Sequence, residues 1–303
     1  MPAESVDHQL IRVTELTKYY GKDVGVKNLT FSISAGEVLG FLGPNGAGKT
    51  TAMRLLVGLI HATSGTAEIL NRDALRFDAS LRSHIGYLPG VLELYKRMSG
   101  FEFLKFLSRI RGIDCRDYAL ELARKFNVDL NRHISDLSKG NRQKIGVIQA
   151  FMHKPEVLIL DEPTAGLDPI VQREFEEVLS DARNRGAAIM LSSHVLSEVE
   201  HLADRVAVVD QGQMVALEHI SALKERALRT LDLTFREAVP PTLFEHALGV
   251  ASVSVRNNVV TCEVVGAETE LLKIAVEHEV VQVRSREVSL EDIFLSLVQA
   301  GGR

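Results

Sequence analysis

The sequence predicts an α/β protein with a mostly parallel sheet and a phosphate-binding turn at its centre, and three stretches carry that reading. The first is GPNGAGKT at residues 43–50, set between the apolar run EVLGFL and the helix-forming TAMRLLVGLI. The second is VLILDE at 157–162, four apolar residues ahead of two acids. The third is AAIMLSSH at 187–194, another apolar run that ends on polar residues. Short continuous apolar runs bounded by turn residues mark strands buried on both faces, as parallel sheets require.

A strand, a glycine-rich turn and a helix in succession form a cradle for phosphate. Gly43, Gly46 and Gly48 let the backbone bend where a Cβ would clash, so successive N–H groups can face phosphate oxygens, and the helix start adds its positive dipole end. The whole turn is therefore the candidate nucleotide site: Gly43, Pro44, Asn45, Gly46, Ala47, Gly48, Lys49, Thr50 and Thr51. Lys49 can reach the β- and γ-phosphates as a mobile point charge, Thr50 has the offset to ligate Mg²⁺, and Thr51 is placed for the α-phosphate. Asp161, at a strand's carboxyl end, can hold the metal's shell through water, and Glu162 can orient and deprotonate an attacking water. Two acids at a strand end also suit a solvated turn, but a buried strand running straight into them favours the site. His194 could be a structural histidine; its place at the carboxyl end of a parallel strand, where ligands bind in open α/β sheets, favours function.

Composition narrows the class. At 303 residues the chain has room for one large or two ordinary domains. No apolar run approaches the roughly 18 residues of a membrane span, and the N-terminus lacks a signal-peptide layout, so a soluble, cytoplasmic location is expected. Cys115 and Cys262 have no ligand-like neighbours, which leaves them as free thiols. A net charge of −5 argues against a broad nucleic-acid surface, and no nucleic-acid partner is expected.

Taken in order, LIRVTEL at 10–16 and LTFSIS at 29–34 alternate as strands, with TKYYGKDVGVKN between them as a turn-rich link. Tyr20 in that link can stack on a purine base or simply pack. SGTAEIL at 64–70 and HIGYLPG at 84–90 read as further strands, and from Ser99 to about Val128 the apolar spacing turns helical. This places a helical subdomain at about 91–150, inside a first domain spanning 1–228. DLSKGNRQKIGVIQAFMHKP at 136–155 reads as a polar turn opening a helix, with Ser138 as an ordinary N-cap if the stretch stood alone. VQREFEEVLSDARNRG is a helix, and RVAVVDQGQMVAL at 205–217 a hairpin about Gln211-Gly212. Residues 229–303 read as strand, helix, strand, strand, helix, strand, with PPTLFEHAL as the first helix and Asn257-Asn258 as a hairpin turn. That order is a small α+β, ferredoxin-like domain. SLEDIFLSLVQ closes it as an amphipathic helix with Ser289 at its N-cap and Asp292 in its first turn.

With these pieces in one order, the chain resembles the ATP-binding subunit of ABC transporters over about residues 9–227. The resemblance implies a P-loop NTPase cassette with an antiparallel β lobe and a helical subdomain. It makes Tyr20 the adenine-stacking aromatic, GPNGAGKT the Walker A loop, LSKGN the signature, VLILD the Walker B strand, Glu162 the catalytic base, AGLD the D-loop with Asp168, and His194 the switch histidine. It also implies a head-to-tail dimer that sandwiches two ATP molecules with Mg²⁺, each gripped by one subunit's Walker A loop and by the other's Ser138 and Gly140. The second subunit is expected to be another copy of this chain. The implied partner is a transmembrane permease encoded as a separate chain, with this subunit at the cytoplasmic face of the membrane. The C-terminal domain, with its SLEDIF ending, looks like the tail of cassettes that serve drug and antibiotic exporters.

Two positions depart from the family pattern. Lys139 and Asn141 stand in the signature where glycine and glutamine are commonest, and Gly90 stands where a metal-ligating glutamine is usual. Glycine offers no side chain to bind metal, so a weaker link between the metal site and the helical subdomain is expected. The rival readings are a soluble cassette acting on ribosomes or DNA and a regulatory module that no longer hydrolyses. One cassette without a long insert between the Walker motifs disfavours the first, and Glu162 together with His194 disfavours the second.

Overall fold

Residues 9–76, 78–226, 229–264 and 268–287 are described by the structure, a computed structural model. The predicted closing helix with Ser289 and Asp292 lies outside them. The chain divides into two compact units, Met1–Leu217 and Glu218–Arg303.

The first unit holds two sheets. In the larger, the strand order is β10 (Gln213–His219), β9 (Arg205–Asp210), β3 (Val38–Leu42), β8 (Ala188–Ser193), β7 (Val157–Asp161), β6 (Ile85–Leu88). The pairs from β9 across to β6 are parallel. Every residue of β3, β7 and β8 is buried, as their unbroken apolar runs require. The two-residue turn at Gln211 and Gly212 returns β10 against β9 as the predicted hairpin.

The smaller sheet, in the order β2 (Asp23–Ser34), β1 (Gln9–Tyr20), β4 (Ser64–Ile69), β5 (Arg72–Asp73), is antiparallel. Here the turn-rich link expected at 17–28 is corrected. β1 and β2 run on through it as one long hairpin that turns only at Gly21 and Lys22. Its polar residues mislead because the extension is irregular: the register shifts between Val13 and Leu16 and again near Lys18, and Glu15 and Asn28 adopt positive φ. The Thr17 hydroxyl bridges the irregularity by accepting the Asn28 amide at 2.9 Å. Both sheets share one core with α1 (Lys49–Leu56), in which Phe31 of β2 and Phe41 of β3 lie 5.2 Å apart between ring centroids.

Between β6 and β7 the chain forms α3 (Gly100–Arg111), α4 (Arg116–Lys125) and α5 (Lys139–Phe151), after a short α2 (Ala79–Arg82) ahead of β6. α3 starts in a capping box of Ser99 and Glu102 and stops at Gly112. α5 starts at Ser138, whose Oγ accepts the Asn141 amide at 3.2 Å. Phe151 of α5 meets Phe175 of α6 (Pro169–Asn184) edge to face, both rings fully buried, and each such ring contributes about 2–3 kcal/mol of transfer free energy. A helix that the sequence reading did not separate, α7 (Leu196–Leu202), follows β8.

The second unit opens on α8 (Ile220–Arg226) and builds an antiparallel sheet in the order β12 (Val250–Arg256), β13 (Val259–Val264), β11 (Arg229–Phe235), β14 (Val280–Glu287), with α9 (Thr269–Glu277) between β13 and β14. This is the ferredoxin-like strand order with one correction. The first helix, expected over 240–248, is a single 3₁₀ turn at Pro241–Leu243. Beyond Leu243 the chain passes through irregular turns that bury Phe244, whose ring lies 5.7 Å from Phe235, and Ala247 before β12 begins at Val250.

Candidate nucleotide-binding site

Three adjacent parallel strands bring the predicted groups together. β8 lies between β3 and β7, so the turn after β3, the acids after β7 and the histidine after β8 emerge at neighbouring carboxyl ends. The registers Leu42 opposite Ser193 and Asp161 opposite Ser192 fix them at one level.

The turn is held from outside as well as by its glycines. Gly46 and Gly48 adopt φ of 84° and 105°, and a Cβ on Gly48 would stand 2.4 Å from the Gly25 carbonyl of β2. The Gly212 amide of the β9–β10 turn donates to the Ala47 carbonyl at 2.9 Å, and the Lys27 amide donates to the Gly212 carbonyl at 2.7 Å. The loop is thus clamped between β2 and the hairpin, with α1 starting at Lys49.

Lys49 is buried, and its ammonium donates to the carbonyls of Gly43 at 2.5 Å and Pro44 at 3.1 Å. Burial pushes its pKa below the ordinary lysine value, while the carboxylates of Glu162 and Asp161 pull it back up. The Thr50 hydroxyl donates to Asp161 Oδ2 at 2.6 Å. A hydroxyl and a carboxylate oxygen in contact are a hard-donor pair of the kind Mg²⁺ takes when phosphates and waters complete its shell. Among the described residues no three histidine, cysteine or acidic side chains converge on a metal position, so these residues fit a metal shared with a ligand and not an all-protein cage.

Glu162 sits at φ 49°, an uncommon conformation for a residue with a side chain, and this turns its carboxylate to within 3.2 Å of His194 Nδ1. Sequence reasoning missed two supports. Ser192, fully buried at the end of β8, donates to Asp161 Oδ1 at 2.5 Å and accepts the Glu162 amide at 3.0 Å. Gln143 of α5 donates to the Pro163 carbonyl at 3.2 Å. The signal for Ser192 was present, since the run AAIMLSS places hydroxyls on the end of an otherwise apolar strand.

A cavity of about 370 Å³ opens over the turn and Glu162, and Gly43, Pro44, Asp161 and His194 do not line it. Tyr20, Asn45, Gly46, Ala47, Gly48, Lys49, Thr50, Thr51 and Glu162 line it, joined by Val24 and Gly25 of β2, which the sequence reading did not mark. Tyr20 reaches it from the β1–β2 turn, with Lys18 Nζ 5.2 Å from its ring centre. Ser138, Gly140 and Asp168 do not line this cavity. Ser138 caps α5, and Asp168 caps α6 by accepting the amides of Ile170 at 3.1 Å and Val171 at 3.0 Å. A Cβ on Gly140 would stand 3.0 Å from the Gly166 carbonyl, so the start of α5 and the loop before α6 are neighbours.

A mononucleotide turn on a parallel sheet, backed by an acid pair and a histidine, defines a P-loop nucleotide hydrolase. The ABC transporter family profile matches residues 26–165. A bacitracin transport ATP-binding protein of Bacillus licheniformis is 33% identical over 301 residues, covering 96% of this chain and 98% of the relative. Its counterpart in Enterococcus faecalis is 31% identical, with 97% of each covered, and a lantibiotic transport ATP-binding protein of Streptococcus pyogenes is 37% identical over 68% of this chain and 89% of its own. Among solved structures, an ATP-binding subunit of an ABC transporter superposes with a TM-score of 0.68 at 27% identity, covering 71% of this chain and 92% of that one. The chain belongs to the ATP-binding subunits of ABC transporters, ATPases whose hydrolysis drives transport. Among the described residues no helix is long and apolar enough to cross a membrane.

Proposed function

We propose that this chain hydrolyses Mg²⁺-ATP to power the export of a peptide antibiotic or a similar amphipathic compound through a separate permease. The observation that carries the chemistry is the convergence of Lys49, Thr50, Asp161, Glu162 and His194 at three adjacent strand ends. Tyr20 stacks on the adenine, and the backbone amides of Asn45, Gly46 and Gly48 with the Lys49 ammonium take the phosphates. Thr50 and Asp161 hold the metal, which when bound neutralises phosphoryl charge. Glu162 accepts the proton of the attacking water, and His194, within hydrogen-bond reach of Glu162, keeps carboxylate and γ-phosphate in register. Ser138 and Gly140 start a helix away from this cavity, which suits their use against the nucleotide of a second copy in a head-to-tail dimer.

The cargo reading rests on full-length similarity to bacitracin transport subunits. A seat for the permease, which would bring the subunit to the membrane's cytoplasmic face, is available on the helical lobe. There Tyr95 is 59% exposed and packs edge to face on Phe106, and Ile110 is 67% exposed. The test is a pull-down of tagged Glu162→Gln from detergent-solubilised membranes with Mg²⁺-ATP, followed by bacitracin challenge of cells expressing the chain with whatever membrane protein co-purifies. A multi-span partner and raised bacitracin tolerance are expected. Recovery of ribosomes or DNA-bound proteins alone would move the function to a non-transport cassette.

A further inference from the structure

The helical lobe holds a second cavity, of about 340 Å³, that shares no residue with the nucleotide site. It lies between α3 and α4, and its buried lining includes Leu104, Cys115, Ala119, Leu130 and Met152. The polar atoms at this end are satisfied internally: the Ser108 hydroxyl donates to the Ile113 carbonyl, and the Cys115 thiol donates to the same oxygen at 3.5 Å. The interior therefore asks nothing of a ligand but apolar surface. The lining also carries three exposed cations, Lys105, Arg109 and Arg116, none with an ion-pair partner among the described residues. The lone acid of the lining, Asp114, is turned to α4, where its Oδ1 accepts the Arg116 amide at 3.1 Å.

An apolar chamber within the volume range of small-molecule sites, roughly 300–1,000 Å³, with cations on its wall, selects a ligand by both ends. We propose that this cavity binds an amphipathic anion, its aliphatic chain against Leu104, Leu130 and Met152 and its carboxylate or phosphate at Lys105, Arg109 and Arg116. The size suits a single medium-length chain and not a protein segment, which would need a larger and more open face. A free fatty acid and an anionic lipid both offer this chemistry. Because the cavity borders the exposed apolar face of α3, occupancy provides a means for such compounds to report to the cassette from outside the ATP site.

The test uses the purified full chain and isothermal titration with monomeric decanoate, octanoate, decylammonium and decanol. Saturable one-to-one binding of decanoate is expected, weakened roughly tenfold for octanoate, which lacks two methylenes. Decylammonium should bind at least tenfold more weakly than decanoate. Ala119→Phe, which fills the chamber, should weaken decanoate more than tenfold while leaving binding of a fluorescent ATP analogue unchanged. The surface pair Lys105→Glu with Arg109→Glu, which does not touch the packing of the lobe, should reverse the preference between decanoate and decylammonium. Flotation with phosphatidylglycerol vesicles separates the sources: vesicle binding abolished by Ala119→Phe assigns the site to lipid, and decanoate binding without vesicle binding assigns it to the free acid. Equal affinity for decanoate and decylammonium, no saturable binding, or indifference to the charge-reversal pair would overturn the proposal.

Discussion

Gly90 lies directly against the Asp161 carboxylate: a Cβ built on it would stand 2.9 Å from Oδ2, the oxygen that accepts the Thr50 hydroxyl. Asp161 is almost fully buried and engaged through both oxygens, so it has little freedom to yield. Gly90→Ala should therefore disturb the pair that fits the metal, at a cost of about 1–2 kcal/mol. The expected result is a several-fold rise in the Mg²⁺ concentration for half-maximal ATPase activity, with Gly90→Gln recovering part of it by bringing an amide oxygen. An unchanged Mg²⁺ titration for Gly90→Ala would show that the edge beside Asp161 is not used.

Glu162 and His194 stand 3.2 Å apart, the geometry on which their proposed handling of the attacking water rests. Glu162→Gln keeps the shape and removes the proposed base, so kcat is expected to fall about 100-fold or more while ATP still binds. Single-turnover hydrolysis and nucleotide retention measure the two effects separately. Turnover near that of the parent would remove Glu162 from the role of base.

Lys49 differs in kind, since its ammonium is within the turn and bound to two of the turn's own carbonyls. Lys49→Ala removes the proposed phosphate ligand and a staple of the loop together. Nucleotide affinity itself should drop by about tenfold or more, as charge-assisted contacts of this type contribute roughly 1.5–3 kcal/mol. Titration with a fluorescent ATP analogue reads this directly.

Ser192 serves Asp161 as donor and the Glu162 amide as acceptor, in a fully buried position. Ser192→Ala strands that amide, and a loss of about 1–3 kcal/mol in urea unfolding is expected together with reduced ATPase activity. Retained stability and rate in Ser192→Ala would mean that the strand end is held without it.

His153 gives the first unit a pH dependence. Burial, with Arg111 nearby, pushes its pKa down to about 4 from the ordinary 6.5; the Ile85 carbonyl, 3.2 Å from Nε2, opposes the shift, and His84 adds to it. Its Nδ1 is buried without a partner among the described residues, so protonation would bury an unsatisfied N–H. The folded pKa lies below the unfolded one, so the unfolded chain takes up the proton first as pH falls. The stabilisation is therefore complete above about pH 6.5 and is lost as the pH falls towards 4, up to about 3 kcal/mol. Chemical denaturation of the wild type between pH 7 and 4.5 should show a steeper decline than His153→Gln, and equal slopes would locate the effect in other groups.

Much of the site was legible in the chain. The turn at 43–50, the run into Asp161 and Glu162 and the run into His194 are each local patterns, because burial on both faces forces unbroken apolar sequence and chemistry collects where such strands end. The β1–β2 hairpin was harder, since its bulges break the alternation that marks a strand. The helix expected over 240–248 failed for a related reason: local pattern favoured it, but Phe244 and Ala247 pack into the core through irregular turns ahead of β12.

The sequence by itself determined the α/β class, the phosphate turn, the identity of the acids and histidine, and the strands of the second unit, because these follow from residue type and short-range period. Tertiary structure alone decided which residues meet. The pairing of β8 between β3 and β7 sets Thr50 against Asp161 across more than a hundred residues, and it makes Ser192 a partner of both acids. Packing of one sheet on the other likewise lays Gly25 against Gly48, and helix packing closes α3 on α4 around the second cavity. Such contacts depend on how distant segments share a core, and no local period along the chain records that arrangement.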